Sequence, residues 1–208
     1  MSSLEVQALQ ELRSGSLYAI IATISSAIAA VIILASLSVI LASLPFTITS
    51  SSSSASLGSP FASSVGSLVV VAILGIISLI FTILSVLKLR SGFHRLEDIG
   101  KDVGGVTGTT LWIVGMILAI IPLIDIIGAI LIILGLILIG LAIRRVGLIY
   151  NVSGIRNGGI LIAIGSIIPF AAFIGFILTY IGLGKLLNTM GPGGQPPSGP
   201  SQGATPTQ

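Results

Sequence analysis

Cysteine is absent from the 208-residue chain, and histidine occurs only once. Without cysteine the chain can form no disulfide, thiolate metal site or cysteine nucleophile. Charged residues make up 7% of the chain and hydrophobic residues 54%, whereas soluble domains carry about 25% charged residues. This composition excludes an ordinary soluble globule, and its hydrophobicity excludes a disordered chain. The sequence therefore predicts an all-α, polytopic transmembrane helical bundle.

Catalytic and metal-binding motifs are also missing. The sequence has no His-Glu-x-x-His pair, no phosphate-binding glycine loop and no second histidine. His94 lies among charged residues, so we predict a solvated side chain. Asp125 is the one ionisable residue inside apolar sequence, and we predict that it caps a helix, with a weak ion site as the alternative. We expect no enzymatic activity, no cofactor and no metal.

Long apolar stretches indicate the membrane spans. A hydrocarbon core of roughly 30 Å takes about 20 apolar residues per helix. Pro122 and Asp125 divide one long stretch into a helical hairpin, whereas Pro169 lies inside the last stretch. A single kinked helix is the favoured interpretation of that stretch, and two segments broken at Pro169 are the alternative. The five predicted spans are 17–44, 65–87, 107–121, 126–143 and 158–187.

The segments outside the spans differ in composition. Residues 1–16 and 93–101 carry apolar stripes, which predict either helices on the inner membrane surface or plain extensions of the spans. The Ser-rich loop 45–64 is predicted to be external and flexible, with O-glycosylation as a further interpretation. The Gly/Pro-rich tail 188–208 carries no charge and is predicted to be disordered.

Basic residues predict the orientation in the membrane, because Lys and Arg are retained on the cytoplasmic side. With five spans, every basic residue except Lys185 falls on the side of the N-terminus. This pattern predicts a multi-pass protein with a cytoplasmic N-terminus and an external C-terminus. With six segments, Lys185 and the C-terminus return to the cytoplasmic side. The excess of Lys and Arg over acidic residues thus reflects the topology of the chain in the membrane. We expect the lipid bilayer as partner and no nucleic acid.

Two internal similarities stand out. Leu12-Arg13-Ser14-Gly15 recurs as residues 89–92, and the pattern that follows Ile120-Ile121-Pro122 recurs 47 residues later, after Ile167-Ile168-Pro169. Repeats with Gly/Pro breaks at matching places can mark a transporter. An apolar composition also makes chance matches easy, so duplication stays an open alternative.

Glycines spaced by seven residues recur on nearly the same helix face. In lipid, small residues allow the close contacts that hold helices together. Packing inside the bundle and packing against another copy or another membrane subunit both remain open. The predicted packing residues are Gly108, Gly115, Gly128, Gly135, Gly175 and Gly182.

Three segments, residues 89–93, 135–144 and 177–185, carry a family resemblance. Over roughly residues 8–187 the chain resembles an uncharacterised family of small polytopic membrane proteins from thermoacidophilic archaea. The resemblance implies an archaeal plasma membrane and brings no activity, substrate or site residue with it.

These observations favour an integral membrane protein without catalytic activity. We expect a structural, accessory or scaffold subunit of a homo-oligomer or a larger membrane assembly. The reasons are the frequent small-residue helix faces and the lack of catalytic and metal-binding motifs in the sequence. A small-solute transporter or channel built on the 47-residue repeat is the alternative.

Overall fold

The computed structural model describes residues 3–43 and 58–190, and these residues form six α-helices and no strand. The fold is therefore all-α, as predicted. Four helices are long and apolar enough to cross a membrane, α1, α2, α4 and α6, and α3 is a shorter apolar helix. The helices are α1 (Ser3–Ser43), α2 (Gly58–Asp98), α3 (Gly105–Leu118), α4 (Asp125–Ile149), α5 (Ser153–Ile164) and α6 (Pro169–Met190).

Two predicted segments fall largely outside these residues. Residues 44–57 of the Ser-rich loop and residues 191–208 of the tail lie outside the described part of the chain. The end of the predicted loop is helical, because α2 begins at Gly58.

The chain divides into two compact units. Among the described residues, one unit is the helix pair formed by residues 18–43 of α1 and 58–85 of α2. Its α1 face is built from small residues, with Ala19, Ala22 and Ala29 buried. The Ser78 hydroxyl of α2 donates a hydrogen bond to the Ala22 carbonyl at 3.1 Å. Small side chains thus let the two backbones approach closely, as membrane helix pairs require.

The second unit combines residues 3–17 with residues 86–190. Helices α3, α4, α5 and α6 follow one another as antiparallel neighbours, each in contact with the next. With 14 and 12 residues, α3 and α5 are only about 21 and 18 Å long. Both are shorter than the hydrocarbon core of roughly 30 Å.

The last apolar stretch differs from the single kinked helix that the sequence favoured. Helix α5 ends at Ile164, a turn occupies residues 165–168, and α6 starts at Pro169 and runs back along α5. Proline suits the first position of a helix, since the amide hydrogen that it lacks would have no partner there. Pro169 therefore begins a helix, and the six-segment alternative describes the fold.

The two amphipathic segments are extensions of α1 and α2, and their stripes face protein. Ala8, Leu9 and Leu12 are buried, as are Phe93 and Leu96. Of the predicted N-terminal stripe, only Leu4 is exposed. The prediction of helices on the membrane surface is corrected accordingly. An apolar helix face can be buried against another helix as well as against lipid.

The repeated Leu-Arg-Ser-Gly motif forms a reciprocal contact between these extensions. A Cβ added at Gly15 would lie 2.8 Å from the Leu89 side chain, and one added at Gly92 would lie 2.8 Å from Leu12. Each motif thus places its leucine on the glycine of the other. The repeated motif therefore forms a symmetric crossing of α1 and α2.

Candidate functional site

All the basic residues of the chain belong to the unit formed by residues 3–17 and 86–190. They gather where α1 begins, α2 and α4 end, and α3 and α5 start, which we call the basic end. The end of α6 lies there as well, because a Cβ added at Gly184 would lie 3.3 Å from the Arg13 guanidinium. The basic residues are Arg13, Lys88, Arg90, Arg95, Lys101, Arg144, Arg145, Arg156 and Lys185.

A cluster of three polar side chains, the Glu5 cluster, connects three segments of the basic end. Glu5, in the first turn of α1, is only 5% exposed. The Tyr150 hydroxyl, just after α4, donates to Glu5 Oε1 at 2.6 Å. The Lys101 ammonium, between α2 and α3, donates to the same oxygen and contacts Tyr150 Oη at 3.0 Å. One carboxylate thus holds two loops against the start of α1.

The environment shifts the acidity of this cluster. Burial alone would raise the pKa of Glu5, but the hydrogen bonds from Lys101 and Tyr150 and the charge of Lys101 outweigh it and lower that pKa. Burial and the adjacent Glu5 carboxylate raise the pKa of Tyr150. The cluster therefore carries an ionised carboxylate and a neutral phenol at neutral pH, which is the arrangement of a structural ion pair.

Two further polar contacts tie α1 to its neighbours. Arg95 forms an ion pair with Glu11 at 3.2 Å and donates to Gln7 at 2.6 Å. Arg13 donates to the Tyr180 hydroxyl at 3.3 Å and lies 4.7 Å from the centre of the Tyr180 ring. Because these partners come from α1, α2 and α6, the contacts fix how the helices meet.

The point where α1, α2, α4, α5 and α6 meet is dry. The cavity there has no room for a water molecule. Its two hydroxyl groups, Ser16 and Thr179, donate to carbonyls of their own helices at 2.9 and 2.8 Å. No polar group is left to bind a solute. The other lining residues are Leu12, Leu89, Ile143, Val146, Ile155 and Leu183.

The six glycines predicted to pack helices are all buried. Gly115 of α3 meets Gly128 of α4, and Gly108 meets Gly135, so that an added Cβ would lie within 3.0 Å of the opposite backbone. Gly175 and Gly182 of α6 meet α5 in the same way. These contacts lie within the chain.

The 47-residue repeat reappears in the register of the two hairpins. Gly128 meets Gly115, and 47 residues later Gly175 meets Ile162. Gly135 likewise meets Gly108, and Gly182 meets Ile155. The α3–α4 and α5–α6 hairpins thus share one packing register.

Asp125 and His94, the remaining candidates, gain no ligand-binding partners among the described residues. Asp125 is the first residue of α4, and its carboxylate accepts the backbone N–H of Ile126 at 2.7 Å. The cap position belongs to Ile124, which offers no side-chain hydrogen bond. The predicted cap is thus displaced by one residue, although Asp125 still satisfies one free amide of the helix start. His94 is exposed.

Sequence reasoning missed the Glu5 cluster. Glu5 and Tyr150 lie 145 residues apart in the chain, and the only local signals were an acidic residue in the first turn of α1 and a tyrosine at a span end. Neither signal names its partner, because the contact depends on how α4 returns to the start of α1.

Apolar helices arranged as successive antiparallel neighbours, with a polar basic end, define a multi-pass helical membrane protein. The chain belongs to the family of proteins of unknown function DUF973, whose model matches residues 5–208. The resemblance to an uncharacterised family is thereby confirmed. No curated protein and no solved structure matches the chain.

Proposed function

We propose that this protein is a non-enzymatic subunit of a membrane assembly, with a structural, accessory or scaffold role. Gly75 is the observation that supports this role most directly. It lies in the apolar part of α2, is exposed, and has no atom within 4 Å of the position that a Cβ would occupy.

A glycine inside a helix costs about 0.5–1 kcal/mol relative to alanine. The six glycines of the hairpins offset this cost by close backbone contacts, whereas Gly75 has none of these within the described part of the chain. Ala72, on the same side of α2, is also exposed and small. A helix of another subunit packed on Gly75 and Ala72 would supply the missing contact, because small residues allow close approach in lipid.

The dry contact of the five helices provides no polar site for a solute at the basic end. A transporter needs a polar cavity near the middle of the membrane, built by the repeats. The described cavity is apolar and has no room for water.

Site-directed cross-linking tests the proposed assembly. The chain has no cysteine, so Gly75→Cys introduces a single reactive site. We expect this variant to cross-link to a second polypeptide in native membranes. Ile73→Cys is the matched control, since Ile73 is exposed at similar depth but residues two apart do not share a face. Absence of cross-links together with strictly monomeric migration in blue-native gels would contradict the proposal.

We further propose an orientation with both described chain ends at the cytoplasmic side of an archaeal plasma membrane. The contacts of Arg13 with Tyr180 and Gly184 support it, since they join the start of α1 to the end of α6. The retention of Lys and Arg on the inner side supports the direction. The family resemblance supports the archaeal membrane. The proposal replaces the external C-terminus that five spans implied.

The matching register of the two hairpins favours one second candidate, a small-solute transporter. Such a protein would open a polar path between the hairpins in another conformation. Uptake into proteoliposomes across a broad solute panel tests this candidate, and uptake equal to that of empty liposomes would dismiss it.

A further inference from the structure

At the contact between α4 and α5, the backbones of the two helices lie directly against each other. A Cβ added at Gly140 would lie within 3.0 Å of Ala163, one at Gly147 would meet the backbone of Arg156, and one at Gly159 would meet the backbone of Arg144. The backbones of α4 and α5 thus touch at all three positions, and we call the line along which the two helices meet on the outer surface the α4–α5 groove.

Arg144 and Arg156 flank this groove. Each lies three residues from a glycine of the contact, and both side chains are exposed. Neither forms a hydrogen bond or ion pair with any described residue. Arg13, Arg95 and Arg145, by contrast, each donate to a protein oxygen. Two guanidinium groups on neighbouring helices are thus free to bind one anion.

The groove is apolar beyond the two arginines. No charged residue occurs between Asp125 and Arg144 on α4, or between Arg156 and the start of α6. Leu141 and Ile160 are exposed large side chains on these two helices. From the arginines, the outer surface of the hairpins therefore continues into a surface suited to hydrocarbon.

We propose that Arg144 and Arg156 bind the phosphate of an anionic membrane lipid, with one hydrocarbon chain lying on the exposed apolar surface that includes Leu141 and Ile160. Guanidinium groups donate paired hydrogen bonds to phosphate oxygens, which makes arginine the preferred partner for this group. Basic pockets between membrane helices on the cytoplasmic side bind lipid headgroups for the same reason. The site requires membrane insertion and does not depend on the assembly role.

Lipid retention by purified, delipidated protein tests the site. Dioleoyl phosphatidylglycerol is the probe, its binding is followed by native mass spectrometry, and dioleoylglycerol is the reference without phosphate. We expect Arg144→Gln with Arg156→Gln to weaken retention of the phosphatidylglycerol about tenfold or more, since both sets of charge-assisted hydrogen bonds to the phosphate are lost.

A control pair separates the site from net charge. Arg90→Gln with Lys185→Gln removes the same charge from two exposed residues without described partners, and we expect it to retain the lipid. Equal weakening by both pairs would overturn the proposal. Should the glutamine pair fail to fold, Arg144→Lys with Arg156→Lys keeps the charge but loses the paired donors, and unchanged retention by it would also overturn the proposal.

A third arm distinguishes lipid from free phosphate. Glycerol 3-phosphate carries the headgroup chemistry without a hydrocarbon chain. We expect it not to displace the bound lipid at millimolar concentration, because it has no hydrocarbon chain to lie on the apolar surface. Full displacement would show that the arginines bind a free phosphate, and the lipid proposal would fail.

Discussion

At the scale of single residues, the Glu5 carboxylate decides how the basic end is held. Both Lys101 and Tyr150 donate to its Oε1 atom. Removing one partner of this buried ion pair should strongly destabilise the fold. The remaining buried charge would then be without water and without a protein partner.

Tyr150→Phe removes one donor to the buried carboxylate and keeps the ring. We expect a loss of about 1.5–3 kcal/mol in the free energy of unfolding, since the lost hydrogen bond involves a charged group. Thermal unfolding in mild detergent measures the effect. Tyr18→Phe is the control, because the Tyr18 ring packs on Phe81 and its hydroxyl has no described hydrogen bond. Equal melting temperatures for both variants would contradict this role of Tyr150.

Acid should weaken the same contact. The folded pKa of Glu5 lies below its usual value of 4.5, so its pairing contributes stability above that pH, and this contribution is lost as the pH falls through the lowered value. Glu5→Gln should therefore flatten the fall in melting temperature below about pH 4.5. Glu97→Gln, which removes a carboxylate outside any described ion pair, should leave the acid profile unchanged. An unaltered profile for Glu5→Gln would disprove the linkage.

The sequence predicted the residue types at the helix contacts but not the polar partners. Glycine spacing follows from helix geometry, so the six packing positions could be proposed from the sequence alone. The partners of Glu5 could not, because they lie 96 and 145 residues away and depend on the return of α4.

At the scale of helices, the short α5 and the turn that follows it are the unexpected feature. The apolar run continues through residues 165–168, so hydropathy alone did not reveal the break. Proline disfavours a helical conformation in the residue before it, which is the local signal for a helix end at this point. A kink within one helix and the start of a new helix at Pro169 both fit the same composition.

The α5–α6 turn presents large apolar side chains, with Ile167 81% and Phe170 68% exposed. Its backbone amides at residues 165–168 donate to carbonyls of the last turn of α5, as hydrocarbon surroundings require. A spin label at Ile167→Cys should be accessible to oxygen and shielded from a polar nickel reagent. A label at the exposed Asp98→Cys should show the reverse. A nickel-accessible label at position 167 would place the turn in water.

The hairpin contacts should not tolerate larger side chains. Gly128→Leu puts a side chain where even a Cβ would lie 2.5 Å from the Ala119 backbone. We expect a loss of about 1–3 kcal/mol or more from overpacking, measured as a lower melting temperature in detergent. Gly66→Leu is the matched control, since open space surrounds Gly66. Similar losses for both would mean that the close approach of α3 and α4 is not needed.

At the scale of the whole molecule, the distribution of basic residues supports the proposed orientation. The sequence predicts that the basic segments belong together on one side of the membrane, and the structure joins them in one unit. The side of the C-terminus could not be derived from composition, because a single lysine separated the five-span and six-segment alternatives.

Labelling of single cysteines with an impermeant maleimide tests the orientation. Arg95→Cys, Arg145→Cys and Lys185→Cys should react only after the cells are permeabilised, because all three native residues belong to the basic end. Reaction of position 185 alone in intact cells would restore an external C-terminus, and reaction of all three would invert the protein.

The reciprocal leucine–glycine crossing of α1 and α2 has a mechanical consequence. If either helix slid along the other by one residue, both leucines would leave their glycines at once and meet positions that carry side chains. The two leucine–glycine contacts therefore oppose axial sliding in both directions. Force applied to one helix is transmitted to its neighbour, so that α1 and α2 translate together at this level.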